Sequence, residues 1–161
     1  MRPGRPSSLR DLERDHLHQL SGSASENRAA ARRTLREARA FQQLAQVGIE
    51  SGLTLPAVSN FHEAARLGVT AVATANGFRF RNTAGAHEAV VDYALALRMV
   101  DRGEHGRLDL LRRLRHEVNY PADLIEPSAS DLELIAELVG KVLDAATAQL
   151  PTPKIPPPPS R

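Results

Sequence analysis

The spacing of apolar residues along the chain predicts helices almost throughout. Ser7 or Ser8 is placed to cap a first helix, in which Leu9, Leu12, Leu17 and Leu20 fall at helical spacing. The stretch "LSGSASE" breaks it. Ser25 is placed to cap a second, longer helix with Leu35, Ala38 and Ala45 inward, loosened at its end by Gly48 and Gly52. A third begins at Pro56, a residue favoured in the first turn. Its stripe runs through Val58, Phe61, Ala65, Val69, Val72 and Ala75, and Gly77 ends it. The linker "FRFRNT" leads to a fourth helix over 83–100, with "DRGEHG" as its stop. A fifth is expected over 107–119. The sixth opens at "SASDLE", where Ser130 and Glu133 fit a capping box, and Leu132, Ile135, Val139, Val142 and Ala146 line its apolar face. No stretch alternates convincingly as a strand, since "FRFR" is too short. The expectation is an all-α fold, an up-and-down helical bundle with accessory N-terminal helices.

Proline and glycine change the picture at the two ends. Residues 1–6 read as a flexible N-terminus, 7–150 as a single helical domain, and 151–161 as a proline-rich disordered tail. That tail is also the feature that an adaptor function would use. Composition supports close helix packing: apolar residues are 42% and aromatics only 4%, so small side chains must fill much of the core. Cysteine is absent, which excludes disulfides, thiol nucleophiles and cysteine-based zinc sites. No histidine pair stands at metal-ligand spacing, so neither a metal nor another cofactor is expected. A net charge of +2 permits a nucleic-acid partner without requiring one. No apolar run is long enough to span a bilayer, and the start lacks a signal-peptide core. The expectation is a cytoplasmic protein without membrane contact.

One segment gathers most of the candidate chemistry, "LLRRLRHEVNYP" from Leu110 to Pro121. At about 100° per residue, Leu111, Leu114 and Val118 share one face. Arg112, Arg115, His116 and Asn119 share a neighbouring one, while Arg113 and Glu117 point elsewhere. Pro121 disfavours helical backbone at Tyr120, which lets that residue turn out of register. Arginine suits phosphate because its fork donates two parallel hydrogen bonds. Histidine suits proton transfer near neutral pH, whereas tyrosine is a poor base there. On these grounds His116 is the base candidate for proton transfer. Arg112 and Asn119 are phosphate-binding candidates, and Tyr120 is a hydrogen-bond donor or stacking surface. His87 is expected at the start of the fourth helix, bonded locally or packed. His62 is expected to be partly buried or solvated.

Two stretches together resemble the HEPN superfamily (higher eukaryotes and prokaryotes nucleotide-binding). The first, "FHEAARLGVTAVATANGFRFRNTAGAHEAVVDYA", resembles its alanine-rich core helix, a glycine turn, and a helix opened by Gly85-Ala86-His87. The second, "LRRLRHEVNY", resembles its arginine-bearing helix. The likeness covers roughly residues 25 to 148 and implies a helical bundle, usually dimeric. It also implies a metal-independent endoribonuclease of a toxin–antitoxin or phage-defence system, with RNA as substrate and an antitoxin or nucleotidyltransferase as partner. The family pattern sets a histidine four to six residues beyond an arginine. Arg115 matches the arginine and His116 the polar position after it, but the histidine position holds Tyr120. Two readings therefore stand: an enzyme using Arg115, His116 and Tyr120, or a catalytically inactive module that binds nucleic acid or a protein.

Overall fold

The computed structural model describes residues 8–118 and 126–150, and these form six helices and two three-residue strands. Helix α1 spans Leu9–His16, α2 Ala24–Glu50 and α3 Thr54–Ala75. Helix α4 spans Ala86–Ala96, α5 Arg102–Val118 and α6 Ala129–Gln149. Strand β1 (Leu17–Gln19) pairs antiparallel with β2 (Phe78–Phe80), with Leu17 opposite Phe80. The all-α bundle is the architecture expected from periodicity. The expected ends at 1–6 and 151–161 lie outside the described residues. No helix among the described residues is long and apolar enough to cross a membrane.

Several boundaries differ from expectation, each for a local reason. The first helix stops at His16 because Leu17 turns into the ribbon, where three residues are too few to show alternation. Ser23, not Ser25, caps α2, because Glu26 stands three residues on and closes a capping box. Ser128 with Asp131 does the same for α6, in place of Ser130 with Glu133. Helix α3 begins at Thr54, two residues before Pro56, and the first turn tolerates the missing amide. "DRGEHG" is not a stop but the opening of α5. There the Asp101 carboxylate accepts from the Glu104 amide at 2.8 Å and Glu104 accepts from the Asp101 amide at 2.9 Å. The fourth helix is shorter than expected, starting after Gly85 at φ +81 and ending at Ala96, two residues before Arg98 at φ +56.

Helix α3 is the axis of the fold. It packs against α2, α4, α5 and α6, and buried residues surround it. Helices α2 and α3 form a hairpin whose tightness comes from small side chains. Ala31, Ala38 and Ala45 are fully buried at seven-residue intervals along α2. Near the turn, Gly48 leaves no room for a side chain, since a Cβ there would lie 3.2 Å from that of Ala57. On the opposite side, a Cβ at Gly68 would lie 2.5 Å from a methyl of fully buried Leu143 on α6. We expect Gly68→Ala to destabilise the fold by about 1–2 kcal/mol despite its better helix propensity, because the displaced methyl has no space to enter. Urea unfolding checks this, and a variant at least as stable as wild type would show that α6 can shift.

Candidate functional site

Three helices bring a polar cluster to one side of the bundle. From α3 come His62, Glu63 and Arg66; from α4, His87 and Glu88; from α5, Arg112 and Arg115. Helix α3 is otherwise apolar there, so His62 enters the core beside Phe61 and is only 7% exposed. Its ring stands 6.2 Å from that of His87, tilted by 52°. His87 is exposed in the first turn of α4. His62, Arg66, His87 and Arg112 line one recess of about 10 Å³, floored by Ala65, Val69 and Leu108. A space of that size takes roughly one water molecule. A phosphate must therefore sit on the rim and not inside.

The arginines differ in how far carboxylates neutralise them. Arg66 donates to both carboxylate oxygens of Glu63, through Nε at 2.9 Å and through Nη2. Arg112 donates to Asp109 at 2.8 Å and lies 3.6 Å from Glu88, which ties α5 to the start of α4. Its side chain is 20% exposed. Arg115 is half-buried and, among the described residues, has no ion-pair partner. It lies close enough for its charge to act on His62 and Glu63.

Burial is the main force on His62 and pushes its pKa down to about 4, with Arg115 adding to the effect and Glu63 opposing it. The imidazole is thus neutral throughout the physiological range. Its Nδ1 is buried and, among the described residues, has no hydrogen-bond partner. A buried polar atom in that state is exceptional in folded proteins. Glu63 is held below the usual carboxylate range, first by the Arg66 guanidinium, so it remains charged.

The helical wheel of the sequence is only partly resolved into one site. Arg112 lines the recess, and Arg115 acts by its charge on His62 and Glu63 of α3 from outside that lining; His116, one residue on, is exposed and also lies outside the lining. Asn119 and Tyr120 lie outside the described residues. His62, expected to be partly buried or solvated, is the deepest polar group of the cluster. Arg66 carried no expectation at all. The signal for both was "FHEAAR", a histidine and an arginine four residues apart on an otherwise apolar helix. Gly85 caps α4 with no side-chain bond, and the Thr83 carbonyl accepts from the Ala86 amide at 3.1 Å. Arg81 donates to the carbonyls of Leu17 and Arg14 and pins the ribbon to α1. Among the described residues no three histidine or acidic side chains converge as a metal-ligand group.

A family model described as a HEPN domain matches residues 31–149. No curated protein matches the chain, and no solved structure does.

Proposed function

The chain belongs to the HEPN family, and from that premise we propose that it acts on RNA as a metal-independent endoribonuclease. The observation that carries this reading is the set of guanidinium groups from α3 and α5 around one histidine-lined recess, with Arg115 uncommitted to any described carboxylate. Such a group can donate a pair of hydrogen bonds to a phosphate oxygen pair and stabilise charge that builds up during strand cleavage. Arg112 adds a second fork at the recess, and His116 stands on the same helix. A toxin–antitoxin or phage-defence setting, with an antitoxin or nucleotidyltransferase partner, is the reading the family resemblance supports. A homodimer belongs to the same proposal. Leu110 and Leu134, each more than half exposed, flank an apolar groove between α5 and α6 and offer surface for a second copy.

The test is incubation of purified protein with labelled single-stranded RNA, with and without EDTA. We expect cleavage that EDTA leaves unchanged and products ending in a 2′,3′-cyclic phosphate. Cleavage abolished by the chelator would sink the metal-independent mechanism. Binding without cleavage would support the second reading, a catalytically inactive module. That reading is favoured by one observation, the tyrosine at position 120 where the family pattern has histidine.

A further inference from the structure

Strand cleavage needs a group to take the 2′-hydroxyl proton, and the family's usual position for it holds Tyr120. Two exposed histidines stand near the arginines, His116 on α5 and His87 on α4. Only His87 shares the recess with Arg112 and with buried His62. We propose that His87 is the general base of this site, with His62 behind it as a neutral support. This rests on the ribonuclease reading given above and deepens it.

Three independent features converge on His87. The contact between Arg112 and Glu88 holds the first turn of α4 against α5, so His87 is fixed beside a phosphate-binding edge. The start of α4 has no side-chain cap, and its positive end favours an anion there. His62 lines the recess beside His87, and its buried Nδ1 has no hydrogen-bond partner among the described residues. Because His62 is nine-tenths buried among apolar side chains, it stays uncharged and adds no positive charge to its neighbour. Charged groups facing the pair are Arg66, Arg112 and Arg115, with Glu63 and Glu88 opposite in sign.

The step balances without an outside reactant. The His87 imidazole takes the 2′-hydroxyl proton, and the 2′-oxygen forms a bond to phosphorus. The bond from phosphorus to the 5′-oxygen breaks, the departing oxygen takes a proton from water, and the imidazolium returns its proton to solvent. Arg115 and Arg112 hold the phosphate oxygens while negative charge builds.

The experiment compares wild type, His87→Ala and His116→Ala for RNA cleavage, RNA binding and thermal midpoint. His87 is exposed, so the variant should fold. We expect His87→Ala to cleave about 100-fold more slowly while binding RNA, and added imidazole to restore a large part of the rate. His116→Ala should slow cleavage far less than His87→Ala does, and a greater loss in His116→Ala would return the base role to α5 and overturn the assignment. Wild-type rates in His87→Ala, or a loss that imidazole does not rescue in a folded protein, would overturn the assignment and leave the ribonuclease reading standing. Absence of cleavage by wild type would overturn both.

Discussion

Arg115→Ala is expected to slow RNA cleavage about 1000-fold while leaving the helical fold intact, the range found when a charge-stabilising donor is removed from an active site. The magnitude follows from how the guanidinium groups are engaged. Arg66 is held by Glu63, and Arg112 by Asp109 and Glu88, so each phosphate contact they make competes with an existing ion pair. Arg115 meets no such competition from the described residues and lies against a bed that partly excludes water, where a charged hydrogen bond is stronger. Arg115→Lys should recover only part of the rate, because an ammonium keeps the charge but loses the fork. RNA affinity should become less dependent on salt, with the slope of log affinity against log salt reduced by about one. Single-turnover cleavage and a salt titration of binding supply both readouts. An Arg115→Ala protein with wild-type rate and salt slope would remove α5 from the site.

A second large effect is expected on stability. His62 has a folded pKa of about 4 against an ordinary value of 6.5. Between those two values the unfolded chain binds a proton that the folded chain does not, so stability rises with pH across this window. The stability is complete above the ordinary value and is lost as pH falls towards 4, by about 3 kcal/mol at most. Wild-type protein should thus weaken markedly between pH 7 and pH 4.5. His62→Leu keeps an apolar side chain in the same space and removes the titrating group. The difference between the two pH values should shrink by most of that amount, while carboxylates common to both proteins cancel. Urea unfolding at the two pH values measures it. An unchanged pH dependence in His62→Leu would mean that His62 gains its proton in the folded state as readily as in the unfolded one.

The helical class, the number of helices and the placing of Arg112 and Arg115 on one side of α5 were legible because each rests on local spacing. Leu132, Val139, Val142 and Ala146 are buried along α6 as the period requires. What was missed depends on contacts distant in sequence. Three-residue strands show no alternation of their own, and Leu17 is extended only because Phe80 lies opposite. "DRGEHG" reads as a break until Asp101 and Glu104 are seen to cap each other. His62 reads as a partly buried or solvated residue next to Phe61. Its role in the cluster depends on where α4 and α5 set His87 and Arg115, which no pattern within α3 encodes.

The alanine seam between α2 and α3 has a kinetic consequence. A hairpin joined by a short turn and zipped by small side chains gathers its contacts close in sequence, and contacts of that kind form early in folding. Helix α3 would then be held on one side before α4 and α5 arrive on the other. The recess, which needs all three, is the last part to close and the first to open. In hydrogen exchange, amides of α4 should therefore trade with solvent well before those of Ala38 and Ala65, and the protein should lose its site by partial opening while most of its helix persists.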